Sequence, residues 1–250
     1  MIESLHRMMI MAEMHGRDLI RRHVAIGLLV ALPASFYLSS IGEGRDAVGF
    51  GGVAMAFAVG GATVFSALSS SEVDQRLVMG GYRPMELLIG RLLFLCPFGI
   101  VISGLFTALM APISHPHNPG VLLLGVSAVA AVAVAFGIAV AAIVPRELEA
   151  TLVLIGVVGV QLAVSHTSTI AKVLPFYGPR LLIEDGVTGR GAIALPLLEG
   201  AAYGVALLVL SRLAIGPRLS IRTHRRRPPA EVVSVPTQPF PSEPSRSLSN

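Results

Sequence analysis

One acidic residue lies well inside an apolar stretch of the chain and could carry proton or ligand chemistry. Glu199 is about seven residues, or ~10 Å of helix, from the nearer end of the last apolar stretch. An ionisable side chain at such a depth in a membrane is costly, so it is a candidate for proton transfer or ligand contact. Gln161 occurs at a similar depth in the preceding stretch and could hydrogen-bond to it. The alternative is a structural role in which Glu199 pairs with Arg180 or Arg190.

Histidines and a serine offer two weaker kinds of site. His115 and His117 form an H-x-H pair in a proline-rich segment, and His166 falls on the same side of the predicted membrane. A metal site needs more ligands and more supporting partners than flexible histidines provide. Ser127 and His166 could be imagined as a nucleophile and base, but no surrounding motif supports that pair. The sequence therefore predicts no metal site and no catalytic site.

Six apolar runs make up most of the chain and must position these residues. They are Val24–Ile41, Val48–Leu68, Leu92–Ile113, Val121–Val144, Ala150–Val164 and Ala192–Ile215. A helix needs ~20 residues, with a range of 17–25, to cross the hydrocarbon core of a bilayer. Five runs meet that length, whereas the fifth has 15 residues and is shorter. Because lipid offers the backbone no hydrogen-bond partners, we predict an all-α membrane protein with six transmembrane helices within residues 24–215.

The basic residues predict which ends of these helices face the cytoplasm. Of the 19 Lys and Arg residues, only Arg45, Lys172, Arg180 and Arg190 fall on one side of the predicted membrane. The other fifteen fall on the side that carries both termini. Since cytoplasmic segments are enriched in Lys and Arg, both termini are predicted to be cytoplasmic. The net charge of +4 follows from this bias and does not indicate a nucleic-acid partner.

The two ends of the chain differ in composition from its apolar part. Residues 1–23 mix apolar and charged side chains and predict an amphipathic helix lying in the cytoplasmic membrane interface. Residues 216–250 form a basic tail that is rich in Pro and Ser and lacks apolar periodicity. Such a tail cannot bury enough surface to offset the entropy lost on ordering, so we predict that it is disordered.

The segment between the second and third runs has the signals of a short helix. Ser69–Glu72 and Ser71–Asp74 each have the spacing of a capping box at a helix N-terminus. Gly80–Gly81 supplies the left-handed stop that a helix C-terminus prefers. We therefore predict a cytoplasmic helix at about Glu72–Met79, which is too short to be stable without a partner surface. The alternative is a capped turn that only connects two membrane helices.

The order of these elements resembles the permease subunits of the ABC-2 family, which serve exporters of drugs, lipid-linked polysaccharides and sterols. Members of that family have an interfacial N-terminal helix, six transmembrane helices and a short coupling helix between the second and third. The segments that carry the resemblance are Glu72–Leu77, Gly81–Pro84, Leu87–Leu92, Phe136–Ala139, Leu174–Arg180 and Asp185–Gly189. The resemblance spans roughly residues 5–215.

The resemblance implies that the short helix binds a separate ABC ATPase subunit. The residues that would make this contact are Glu72, Val73, Arg76, Leu77, Tyr82 and Arg83. A P-loop needs a lysine for the nucleotide phosphates, and the only lysine here, Lys172, lies in no such motif. The chain would therefore be no enzyme and would hold no cofactor, since the partner subunit would bind ATP. A second permease, either a copy or a paralogue, would complete the membrane part.

The resemblance also implies short helices between the fifth and sixth runs. In the family, this connection carries helices that lie on or partly within the outer leaflet. The corresponding segment here, Ser165–Gly191, has apolar pieces at Ile170–Tyr177 and Leu181–Ile183. Non-helical backbone at membrane depth would have to be shielded by protein or by a wet cavity.

Three functions are compatible with the sequence. The first is the permease of an ATP-driven exporter in the bacterial inner membrane, moving a hydrophobic or amphipathic substrate such as a drug, an antibiotic or a lipid-like molecule. The second is a proton-coupled secondary transporter that uses Glu199, although no paired base and no internal repeat supports it. The third is an intramembrane enzyme built on Ser127, for which no motif is present.

Overall fold

The computed structural model describes residues 23–165, 168–189 and 191–223, together with Met9 and Glu13. Within those residues the chain is helical apart from short connections, which confirms the predicted all-α fold. The helices are α1 (His23–Ser39), α2 (Arg45–Ser69), α3 (Ser71–Met79), α4 (Pro84–Ser114), α5 (Pro119–Ile143), α6 (Glu147–Ala163), α7 (Thr169–Val173), α8 (Tyr177–Thr188) and α9 (Ala194–Thr223). A 3-10 turn at Ile41–Glu43 joins α1 to α2.

Four of the described helices are long and apolar enough to cross a membrane. They are α2, α4, α5 and α9. The other two predicted spans correspond to α1 and α6, each of 17 residues. The sixth run continues as helix through Thr223, past the boundary predicted at Gly216. The rest of the predicted tail, and nearly all of the predicted interfacial helix at residues 1–23, lie outside the described residues.

The core of the bundle lies where α2 and α5 cross. Along the second half of α5, every residue from Val132 to Ala142 is buried. Gly137 faces the backbone of α2 so closely that a Cβ there would lie 2.8 Å from the Gly60 carbonyl oxygen. Small residues at such a crossing let two membrane helices approach until their backbones touch. The two helices around which the others pack are therefore held together by close backbone approach.

Of the two short helices between α6 and α9, the second is packed against the bundle. The predicted short helices in this segment are present as α7 and α8, and α8 packs against α2, α5 and α9. Gly186 leaves no room for a side chain, since a Cβ there would lie 2.5 Å from the Leu122 backbone nitrogen. Asn118 donates its backbone N–H to the Gly186 carbonyl at 2.8 Å. One face of α8 is thus held by close backbone contact with the start of α5.

The short helix between α2 and α4 is present at Ser71–Met79, which confirms the prediction of a helix at about Glu72–Met79. Its C-terminus has the predicted glycine stop, with Gly81 at φ 94. Tyr82 donates its N–H to the Leu77 carbonyl at 3.0 Å and Gly81 to the Val78 carbonyl at 3.1 Å. These two bonds form the Schellman pattern, which satisfies carbonyls that the helix leaves unpaired.

The predicted capping boxes at the start of α3 are wrong. The N-cap is Ser70, and no side chain caps the helix there. The Ser70 hydroxyl donates to the Ser66 carbonyl, one turn back in α2. Asp74 bonds to Arg91 of α4 instead of to the N-terminus of its own helix. A charged partner forms a stronger hydrogen bond than a backbone N–H, so the long-range pair prevails over the local cap.

Candidate functional site

The α3 helix projects from the bundle as an exposed surface. None of its residues is fully buried. The apolar side chains of Val73 and Met79 are exposed, and Met79 is 68% exposed. Of the residues predicted to contact an ATPase, Glu72, Val73, Arg76 and Arg83 are exposed, and Leu77 and Tyr82 are partly buried. A helix of this length gains little stability by itself and exposes apolar side chains here. Such a surface is suited to binding another protein.

One ion pair ties α3 to the membrane helix that follows it. Arg91 lies about two turns into α4 and is only 7% exposed. Its Nη2 donates to Oδ2 of Asp74 at 2.9 Å and to the Ser70 hydroxyl oxygen. A buried guanidinium is tolerated only when it is paired and hydrogen-bonded, so these contacts are what holds Arg91 in place. No local pattern in the sequence predicts this pair, since its members are 17 residues apart.

The pair uses only part of its hydrogen-bonding capacity. Asp74 Oδ1 and Arg91 Nε are both buried and have no hydrogen-bond partner among the described residues. An arginine and a carboxylate in their best geometry form two parallel bonds. Here one of the two bonds is made, so the pair retains a donor and an acceptor for a second bond.

A cavity of about 380 Å³ lies beside this ion pair. Apolar side chains of α2, α4, α5 and α9, among them Leu68, Leu87 and Ile138, form most of its wall. Asp74, Gln75 and Arg91 line its polar part. The volume is at the lower end of the range of small-molecule pockets, and it leaves space between α3 and the bundle.

At the opposite end of the bundle, Arg180 joins α8 to the end of α6. Its Nη1 donates to the backbone carbonyls of Gln161 at 3.3 Å and Val164 at 3.4 Å, and its Nε donates to Glu184 at 3.3 Å. The last carbonyls of a helix have no intrahelical partners and carry partial negative charge. Arg180 therefore caps α6 with a buried positive charge, a contact that the sequence analysis did not identify.

The two residues predicted along a substrate path do not bond to each other. The Gln161 side chain is fully buried, and neither its amide nitrogen nor its amide oxygen has a hydrogen-bond partner among the described residues. Glu199 lies one turn into α9 and is partly buried, with its Cβ against Gly178 of α8. Arg180, one of the predicted partners of Glu199, is engaged with α6 and Glu184 instead. Arg190, the other, lies outside the described residues.

His115 and His117 each lie beside the end of a different helix. His115 ends α4 in a left-handed conformation at φ 44, and His117 lies over Gly189 at the end of α8. No group of three or more His, Cys, Asp or Glu residues in the described part of the chain could hold a metal ion. Ser127 lies in the first half of α5, and His166 lies outside the described residues.

The arrangement thus combines an exposed short helix, a buried ion pair and a cavity at one end of an apolar bundle. Comparison with known proteins does not assign a family. No protein-family model matches the chain, and no curated protein is similar to it at a significant level.

Proposed function

We propose that this chain is the membrane-spanning permease subunit of an ATP-driven exporter of the ABC-2 type. The observation that carries the proposal is α3, a nine-residue helix with no buried residue, placed between two long apolar helices. A simple connection between two membrane helices does not need a capped helix with an exposed Val73. A helix that docks on an ATPase needs these features, because it must present a rigid surface outside the membrane.

All six predicted helices cross the membrane in this proposal, and both termini are cytoplasmic. At 17 residues each, α1 and α6 are within the ~17–25 residues that a crossing requires. Only Val144–Arg146 separate α5 from α6, so α6 returns at once into the layer that α5 has crossed. This path puts α3 and Arg146 at the same end as the terminal segments. The excess of Lys and Arg residues at that end favours its cytoplasmic location.

A separate ABC ATPase supplies the energy and binds at α3. The exposed Glu72, Val73, Arg76 and Arg83 would form its contact surface, with Leu77 and Tyr82 at the edge. The ATPase holds the nucleotide, since the chain has no P-loop motif. ATP binding then favours one arrangement of the membrane helices over another, which is how the two subunits are coupled.

A second permease, either a copy or a paralogue, completes the transport path. Gly156 and Gly159 of α6 have nothing within 4 Å of the position of a Cβ, so this glycine face meets no other part of the described chain. Neighbouring apolar residues of α6, including Leu152 and Ile155, are also exposed. Lipid or a second permease would cover these faces. A path lined by such aliphatic residues suits a hydrophobic or amphipathic substrate, such as a drug, an antibiotic or a lipid-like molecule.

The alternative function is proton-coupled secondary transport through Glu199. It is supported by the position of this acid in α9, where it bonds neither to Gln161 nor to Arg180. Replacing Glu199 with Gln separates the two functions in inside-out vesicles that are supplied with a hydrophobic cationic dye. ATP-driven dye uptake that persists in the variant supports the exporter, whereas uptake that needs only a pH gradient and stops in the variant supports the alternative.

The proposal is tested by purifying the tagged chain from its native membranes in mild detergent and identifying the proteins that accompany it. We expect an ABC ATPase in a stoichiometric complex, with ATP hydrolysis that vanadate inhibits. The contrary result is substrate transport by the purified chain alone in lipid vesicles. Such transport would show that the chain does not depend on an ATPase.

A further inference from the structure

We propose that Arg91 and Asp74 are positioning residues that transmit the movement of α3 to α4. This inference rests on the proposed function, because an ATPase must move α3 for any movement to be transmitted. Neither residue belongs to the predicted contact surface for the ATPase. The proposal instead concerns the next step, in which displacement of an exposed helix becomes displacement of a membrane helix.

The ion pair joins α3 to α4 through side chains. Because α3 has no fully buried residue, its apolar packing is limited to partly buried side chains such as Leu77 and Val78. The pair joins Asp74, in the first turn of α3, to Arg91, which is 7% exposed inside α4. The Ser70 hydroxyl, just before α3, shares the same guanidinium. A movement of α3 therefore pulls directly on a residue about two turns inside α4.

The Asp74–Arg91 pair has space beside it for a second arrangement. The cavity of about 380 Å³ lies next to the pair, between α3 and the membrane helices. Gly81, at φ 94, follows the C-terminus of α3, and such a position absorbs the backbone rotation of a hinge. Asp74 Oδ1 and Arg91 Nε are both unpaired, so a rotation that brings them together would add the second bond of a bidentate pair. The structure contains both the space and the unused bond that a movement of α3 requires.

Displacement at Arg91 would move the first part of α4. This helix has 31 residues, ends at Ser114 at the far end of the bundle, and contains Pro97 shortly after Arg91. It packs against α5 and also meets α2, α1 and α9. Because an internal proline removes a backbone hydrogen bond and is a usual site of a kink, a shift near the first turns tilts the part of α4 before Pro97 against α5. In an exporter, such a tilt is a means of opening a path between helices.

The test follows α3 and α4 separately in the purified complex with its ATPase. Replacing the single cysteine, Cys96, with Ser gives a background for site-specific spin labels. One pair of labels at Met79 and Ile143 reports α3 against α5, and another at Leu93 and Ile143 reports α4 against α5. All three positions are exposed, so the labels should not disturb packing. Distances are measured by pulsed electron resonance without nucleotide and after trapping with ATP and vanadate.

We expect trapping to change both distances by ~2 Å or more in the parent protein, a typical size for a helix shift. In Asp74→Asn the α3 distance should still change, while the change in the α4 distance should fall at least threefold. Arg91→Lys, which keeps the charge but loses the planar guanidinium, should weaken transmission in the same way. The double variant Asp74→Arg/Arg91→Asp, which exchanges the two charges, should restore the change in the α4 distance. The Ser70 hydroxyl permits this exchange, since it can accept from an arginine or donate to a carboxylate.

The outcomes separate this inference from the proposed function. If no ATPase accompanies the chain, the proposed function is wrong and the inference fails with it. If the ATPase is present and the α4 distance changes equally in the parent and in Asp74→Asn, only the inference is overturned. The same holds if trapping moves neither label pair, or if the exchange does not restore transmission although the variant elutes as an intact complex.

Discussion

Gly137 of α5 lies against the backbone of Gly60 in α2, where a Cβ on Gly137 would come within 2.8 Å of the Gly60 carbonyl oxygen. The same Cβ would also lie 2.8 Å from the Cβ of Thr63. Neither contact can be relieved by turning a flexible side chain, because a backbone oxygen and a Cβ are fixed by their helices. The closest approach of the two central helices thus depends on the absence of a side chain at Gly137.

Replacing Gly137 with Ala should therefore destabilise the protein. Forcing one methyl group into a closely packed site typically costs ~1–3 kcal/mol. Thermal unfolding in detergent, followed by size-exclusion chromatography, measures the loss. Gly156→Ala in α6 is the matched control, since nothing lies within 4 Å of a Cβ there. An equal fall in stability for both variants would contradict the close approach of α2 and α5.

The sequence predicted that the helices exist because apolar run length and the glycine stop at Gly81 act locally. It placed their ends less well: α4 begins at Pro84, before the predicted run that starts at Leu92. The short helices between α6 and α9 were expected from the family resemblance. The burial of α8 depends on glycines that face particular partners, such as Gly186 against Leu122, and this pairing has no local signal.

The candidate site was only partly predictable for the same reason. The short helix α3 could be identified from spacing, whereas the residues of its contact surface were implied by the family resemblance. Asp74 was interpreted as a capping residue because a capping box can be recognised from four residues. Its actual partner, Arg91, is brought to it by the turn between α3 and α4. Contacts of this kind depend on how two helices meet, which single-sequence patterns do not specify.

Arg180 offers a second test of the packing, at the opposite end of the bundle. Arg180→Ala removes the charged donor from the Gln161 and Val164 carbonyls, and this should loosen the contact between α8 and α6. Hydrogen bonds to a charged group contribute ~1.5–3 kcal/mol, so we expect a clear fall in the melting temperature. Arg146→Ala is the control because its partner, Glu149, is on the exposed surface. The Arg146→Ala variant should leave the melting temperature unchanged. A fall of similar size in that variant would contradict the claim that Arg180 stabilises the protein through its contacts with α6.

Asp185 of α8 should make stability depend on pH. Burial raises the pKa of its carboxyl above the ordinary value, so the folded state favours the protonated form. The stability that the protein has with this carboxyl protonated is present in full below the unfolded-state pKa. It is lost as the pH rises through the higher folded-state pKa, because the buried carboxyl then ionises. Asp185→Asn should therefore raise the melting temperature at neutral pH and have little effect below about pH 4. The exposed Glu149→Gln variant should show no such rise, and a rise of Asp185→Asn that is independent of pH would contradict the assignment.

Val73 tests whether α3 is a docking surface. It is 41% exposed, so Val73→Asp should leave the membrane helices folded while placing a charge in the apolar part of an interface. We expect at least a tenfold loss of the ATPase that co-purifies with the chain, equivalent to about 1.4 kcal/mol of binding. Leu148→Asp is the matched control, because Leu148 is 75% exposed at the same end of the bundle but lies in the first turn of α6. An acid suits a first helical turn, so this control should keep both the fold and the ATPase. Retention of the ATPase by Val73→Asp would mean that the partner binds elsewhere, and α3 would then be only a connection.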